Sequence, residues 1–232
     1  MNPFLKPAAA IVVAALLSIL APPARSEDAP HSLYAVAYVE VLPGKDKQAL
    51  QLIADYVAGA RRAPGALAIN GLVRNGYPNQ FALIEQWQTQ KARDDYSATQ
   101  GAQQFRAALA KIEAAGLDER IQGPLYVASE KPVALPPMIV MTHIDIIPTA
   151  LEQGRARIKQ LVDNNRHQNA NIRFDVLVQT NRQNHMTLIE GWKSQRDKDA
   201  ESAARETVSY RHDLGPMSGS PYDERTYRPL SQ

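Results

Sequence analysis

Two Glu-x-Trp triplets lead the list of residues able to do chemistry: Glu85-Gln86-Trp87 and Glu190-Gly191-Trp192. In an extended strand, residues two apart share a face, so each carboxylate stands beside an indole. Such a carboxylate can accept a proton or orient a partner, and the indole can flank a planar ring. The same pairing also reads as ordinary core, with the indole N–H bonded to the carboxylate, and both readings stand at this point. A second polar pair alternates along an earlier strand, Tyr38 with Glu40, and is matched in the later half by His143 with Asp145. His143 with Asp145 could form an oriented base and Tyr38 with Glu40 a hydrogen-bonding pair. Polar residues at the exposed end of a strand would look the same.

Other chemistries are excluded by what the chain lacks. There is no cysteine, which removes disulfides, thiolate metal sites, iron–sulfur clusters and Cys nucleophiles together. The five histidines, His31, His143, His167, His185 and His212, have no spacing that puts two on one helix face. No glycine-rich phosphate loop and no Gly-x-Ser-x-Gly elbow occurs. Neither a metal nor any other cofactor is expected.

The elements that position these residues repeat. Shifting the chain by 105 residues superposes Pro43 on Pro148, Ile53 on Ile158, Arg61 on Arg166, Leu72-Val73 on Leu177-Val178, Asn79 on Asn184 and Trp87 on Trp192. The match runs without a gap, which marks a tandem duplication. In the first copy, alternation predicts strands over residues 34–42, 66–74 and 80–88, the last two joined by a hairpin of Asn75-Gly76-Tyr77-Pro78-Asn79. Helical spacing of Leu50, Ile53, Val57 and Ala60 predicts a helix over 44–62, stopped by Pro64-Gly65. A second helical stretch covers 91–115 with a break near Gly101, and a last strand covers 125–129. The second copy repeats the order, with Thr149 to Glu152 and Ser194 to Asp197 as capping boxes.

Strand, helix, strand, strand, helix, strand is the ferredoxin-like order. The fold class is α+β: two tandem ferredoxin-like repeats, residues 27–130 and 138–232, joined by a proline-rich linker over 131–137. Each sheet leaves one face bare, and that face has to be covered. Two copies in one chain can cover each other, giving a barrel with the helices outside, a pseudo-dimer within one polypeptide.

Composition sets the rest. With 44% hydrophobic and 22% charged residues among 232, the chain can bury a core. Residues 1–26 read as a secretory signal: Lys6, an apolar run of about 14 residues, short of the roughly 20 that span a bilayer, and small residues before a cleavage point near Ser26. A periplasmic or secreted protein without a membrane span is expected, an uncleaved anchor being the alternative. Losing Lys6 and Arg25 leaves basic and acidic residues equal at 24 each. With no basic stripe, nucleic acid is excluded as a partner.

Three motifs carry a resemblance: Leu42-Pro43-Gly44-Lys45 after the first strand, Arg61-Arg62-Ala63-Pro64-Gly65-Ala66-Leu67 after the helix, and the Phe81 to Trp87 strand leading into Lys91-Ala92. They resemble the antibiotic biosynthesis monooxygenase family of dimeric α/β barrels, and the second copy resembles it more faintly. The resemblance implies a cofactor-independent monooxygenase that oxidises a quinol or similar small hydroxylated aromatic with molecular oxygen. With the polar strand residues added, the candidate catalytic set is Tyr96, Glu85 and Tyr38, and the candidate substrate-binding set is Trp87, Trp192, His143 and Glu190. The chain departs from the family where active relatives often carry a His, about nine residues after the strand Trp: here Tyr96 and Glu201 stand. A tyrosine can donate to a phenolate but, with a pKa near ~10, is a poor base at neutral pH. The haem-degrading branch, which uses an axial His in this region, is disfavoured for the same reason. The alternative is a non-catalytic or stress-related barrel that binds a small apolar ligand. Homo-oligomerisation is left open.

Overall fold

A computed structural model describes residues 32–129 and 135–230; the expected export signal and most of the linker lie outside the described residues. The first repeat runs β1 (Leu33–Glu40), α1 (Asp46–Ala60), β2 (Ala66–Arg74), β3 (Gln80–Trp87), α2 (Gln90–Ser97), α3 (Gln100–Leu109) and β4 (Asp118–Tyr126). The second runs β5 (Met138–Asp145), α4 (Leu151–Arg166), β6 (Asn171–Gln179), β7 (His185–Trp192), α5 (Gln195–Ser202), α6 (Arg205–Leu214) and β8 (Asp223–Pro229). The repeat offset holds down to the register: Leu33 pairs with Trp87 and Met138 with Trp192, and the bulge after Ala66 recurs after Asn171.

Local chemistry explains most boundaries. Helix α1 buries Ala49, Ile53, Tyr56, Val57 and Ala60 at helical spacing and ends before Gly65, whose φ of +79° suits glycine. A Cβ there would lie 2.6 Å from Ala92 Cβ, so the turn also lets α2 dock closely. The break in the second helical stretch falls at Thr99, two residues before the expected Gly101, because the Thr99 hydroxyl caps α3 by accepting from the Ala102 N–H. Ser194 caps α5 by accepting from the Asp197 N–H, as expected. The Thr149 to Glu152 box does not form: Pro148–Ala150 is a 3-10 turn, and α4 starts behind Ala150 with no side-chain cap. Pro148 fixes φ and preforms that turn, which puts Thr149 inside it rather than at the cap.

The last strand of each repeat is the main correction. It occupies Asp118–Tyr126, earlier than the expected 125–129. Its first half is polar because it lines the polar end of the barrel, so apolar alternation does not mark it. This strand also joins the repeats. β4 pairs with β1 through residues 118–122 and with β6 of the other repeat through 122–126, while β8 pairs with both β5 and β2. One closed antiparallel barrel results, in the order β1-β3-β2-β8-β5-β7-β6-β4. Closure removes every sheet edge.

Three cores follow. Ile53, Phe81, Leu83, Trp87 and Phe105 pack between the first repeat's strands and helices. Ile158, Phe174, Leu188, Trp192 and Tyr210 do so in the second. Tyr34, Val36, Ile84, Ile139, Leu177, Ile189 and Tyr227 fill the barrel lumen. No helix among the described residues is long and apolar enough to cross a membrane.

Candidate functional site

Glu85 and Trp87 lie on the helix-facing side of β3, and the sheet delivers them to α1. The Trp87 indole N–H donates to Glu85 Oε2 at 2.8 Å, and the Tyr56 hydroxyl, from α1, donates to Oε1 at 2.7 Å. Glu85 is 3% exposed and Trp87 0%. Burial pushes the Glu85 carboxyl above the usual carboxylate range, opposed by the bonds from Tyr56 and Trp87 and by Arg93. Arg93 Nε lies 3.7 Å from Glu85 Oε2, and the same guanidinium pairs with Glu119, which Arg106 holds from the other side at 3.1 Å.

Tyr96, from α2, closes the cluster at its edge. Its ring centroid lies 5.6 Å from those of Trp87 and Tyr56, and its hydroxyl donates to the Tyr56 carbonyl at 3.2 Å. Tyr56 in turn stacks on Phe105 at 4.3 Å. Tyr96 is only partly buried, so it stands between this cluster and solvent.

The second repeat keeps the Glu-Trp pair and changes its surroundings. The Trp192 N–H donates to Glu190 Oε2 at 2.9 Å. Lys198 replaces Arg93 and donates to Glu190 at 3.0 Å and to Glu201 at 2.9 Å, with Glu224 at 3.4 Å. The Thr207 hydroxyl donates to Glu201 Oε1 at 2.6 Å. Burial lowers the Lys198 pKa, but the three carboxylates together outweigh it and raise the value; burial raises that of Glu190. Leu161 stands where the first repeat has Tyr56, and with Tyr210 it lines a cavity of about 220 Å³ between α4 and α6. Glu190 and Trp192 are thus placed in a buried ionic cluster.

Tyr38 and His143 are not brought to either cluster. Their strands turn them into the barrel lumen, on the opposite side of the sheet from Trp87 and Trp192, so the expected grouping of Tyr38 with Glu85 and Tyr96 does not form. The Tyr38 ring sits between the guanidinium groups of Arg120 at 5.0 Å and Arg225 at 5.5 Å, and Glu40 is exposed and makes no bond to it. Asp145 does not orient His143 either: its Oδ1 lies 3.3 Å from His185 Nε2, because strand register sets His185 directly opposite it.

Sequence reasoning missed Tyr56, Arg93, Lys198 and His185. A signal existed for two of them, since a basic residue recurs at the equivalent positions 93 and 198 of the repeat. Tyr56 shows only an apolar helix position, and its bond to Glu85 spans 29 residues.

Trp87→Ala is expected to cost about 3–5 kcal/mol, since it leaves a large cavity and takes one donor from a buried carboxylate. Denaturant unfolding checks this; an unchanged midpoint would show that the ring is not core.

The comparisons agree with this architecture. Residues 32–108 match the family model for antibiotic biosynthesis monooxygenase. Two solved structures called "putative monooxygenase" share the fold over nearly the whole chain. That from Fusobacterium nucleatum is 16% identical with a TM-score of 0.76, covering 88% of this chain and 94% of its own. That from Lactobacillus acidophilus is 12% identical at 0.68, covering 87% and 95%. An anthrone oxidase-like protein aligns at 0.69 with 11% identity, covering 88% and 93%. No curated protein matches the chain. Its first repeat, over residues 32–108, is thus similar to the antibiotic biosynthesis monooxygenase family, and a second repeat closes the barrel that the first begins.

Proposed function

We propose that the protein is a cofactor-independent monooxygenase that oxidises a quinol or similar small hydroxylated aromatic, with its reactive site in the first repeat. The observation that carries this reading is Glu85: a buried carboxylate with a raised pKa, set between an indole and two phenols, in the repeat that matches the monooxygenase family. A substrate hydroxyl that takes the place of the Tyr56 hydroxyl gives its proton to Glu85, and the Tyr96 hydroxyl leaves the Tyr56 carbonyl to donate to the anion. The resulting anion is electron-rich enough to reduce oxygen itself. One oxygen atom becomes bonded to a ring carbon, the other leaves as water, and the quinol emerges as a hydroxyquinone. Quinol plus O2 equals hydroxyquinone plus water, so no external reductant enters. Export, on the reading of residues 1–26, puts this substrate outside the cytoplasm.

A specific observation favours the second reading, a barrel that binds without turnover. Trp87 has no exposed surface, and both Glu85 oxygens are engaged within the protein.

Oxygen uptake with a panel of reduced quinones separates the two. The monooxygenase reading expects uptake matched by hydroxyquinone, lowered roughly 10²-fold by Tyr96→Phe if that hydroxyl steadies the anion as one oxyanion donor does. Glu201→Gln, at the equivalent position, is expected to do much less. Equal effects would reject a single site in the first repeat, and no uptake across the panel would leave the binding reading.

A further inference from the structure

One mouth of the barrel gathers polar groups from both repeats. The first supplies Tyr38 on β1 and Asp118, Arg120 and Gln122 on β4; the second supplies His143 and Asp145 on β5, His185 on β7, and Asp223 and Arg225 on β8. Gln122 and Thr187, each 0% exposed, form the floor, with Gln122 Nε2 donating to Thr187 Oγ1 at 2.9 Å. Below them lies the apolar lumen.

Four buried polar atoms of this layer have no hydrogen-bond partner among the described residues: Arg120 Nη1, Gln122 Oε1, His143 Nδ1 and His185 Nδ1. They are neighbours. Thr187, which holds Gln122, is the cross-strand partner of His143; the rings of His143 and His185 lie 5.7 Å apart; and the charge of Arg120 acts on both imidazoles. Buried polar atoms are nearly always bonded, so four together point to a group that bonds them. Asp118 engages Arg120 through Nε and Nη2, which leaves the Nη1 hydrogens free to donate. Asp145 beside His185 Nε2 holds the imidazole proton there, so His185 Nδ1 presents a lone pair. Gln122 Oε1 is a second acceptor.

Burial and Arg120 lower the His143 pKa to about 4, so it is neutral at physiological pH. Arg120, Arg182 and Arg225 act on this end of the barrel together with Asp118, Asp145 and Asp223, and Arg120 and Arg225 are paired with Asp118 and Asp223. The complementary ligand carries an anionic acceptor for Arg120 and a hydroxyl donor for one of the two acceptors, His185 Nδ1 or Gln122 Oε1. A metal ion does not fit: among the described residues no three His, Asp or Glu side chains are grouped to hold one, and Arg120 repels a cation.

We propose that the barrel mouth between Arg120 and His185 is a binding site for a small hydroxylated carboxylate, built jointly by the two repeats and separate from the helix-side cluster around Glu85. It does not depend on the monooxygenase reading, since no residue is shared.

The test titrates the full chain with glycolate, with acetate and ethylene glycol as single-function controls, and follows the His143 and His185 ring nitrogens by NMR. Glycolate is expected to shift both imidazoles and to bind more tightly than either control. Arg120→Gln, which removes a charge-assisted bond, is expected to weaken it about tenfold. His185→Phe, which removes the lone pair and keeps the ring, is expected to erase the advantage of glycolate over acetate; this second variant serves if Arg120→Gln does not fold. Absence of glycolate binding, binding that leaves both imidazoles unmoved, or equal affinity for acetate would each overturn the proposal.

Discussion

Glu85→Gln is expected to lower quinol turnover by about 10²–10⁴-fold, the usual contribution of a positioned general base, while keeping the fold. Gln matches Glu in shape and its carbonyl still accepts from the Trp87 N–H, so the bond at 2.8 Å has a replacement. The amide cannot take a proton, and that isolates the chemistry from the packing. The pH profile gives an independent readout. Because burial raises the Glu85 pKa above its ordinary value, the base form is filled only as pH rises through that raised value. Turnover per enzyme is expected to climb over this interval and level off above it, and the Gln variant should lack that limb. Steady-state oxygen uptake across pH measures both. A Gln variant with full turnover would remove Glu85 from the mechanism and leave it as the acceptor that anchors Tyr56 and Trp87.

Lys198→Met is expected to be among the most destabilising single changes, at about 3–5 kcal/mol, because it strands buried carboxylates without their cation. Lys198 is 3% exposed and touches Glu190, Glu201 and Glu224. Removing Glu190 as well, in the Glu190→Gln/Lys198→Met double variant, should recover part of the loss, since one stranded charge disappears. The direction with pH follows from linkage. The folded-state pKa of Glu190 is raised, so between its ordinary and raised values the native state binds more protons than the unfolded chain. Its contribution is therefore favourable below the ordinary carboxylate value and is lost as pH rises through the raised one. Without Lys198 this dependence steepens, and the deficit should shrink on acidification. Urea unfolding at a series of pH values checks it; a deficit independent of pH would mean that the loss is one of packing.

The paired strands were legible because alternation is local. Phe81, Leu83, Glu85 and Trp87 share a face by the geometry of one extended segment, and the duplication repeated the evidence at Met186, Leu188, Glu190 and Trp192. Strand β4 was misplaced because Asp118, Arg120 and Gln122 are polar on the side that turns inward, where a polar barrel mouth replaces the expected apolar core. Arg93 and Lys198 were legible in principle as a basic pair at the repeat offset, whereas nothing near Tyr56 announces a carboxylate 29 residues away.

By itself the sequence determined the duplicated ferredoxin-like order, the break between the two short helices and the carboxylate beside each Trp, all of which rest on spacings within a segment. Tertiary structure alone decided the destination of each face. Closure of the barrel sent Trp87 and Trp192 toward the helices and Tyr38 and His143 into the lumen; pairing of β5 with β7 gave Asp145 to His185; and the crossing of β4 and β8 between repeats made one body of two. Periodicity states that residues share a side, but which side is inside depends on partners supplied by the other half of the chain.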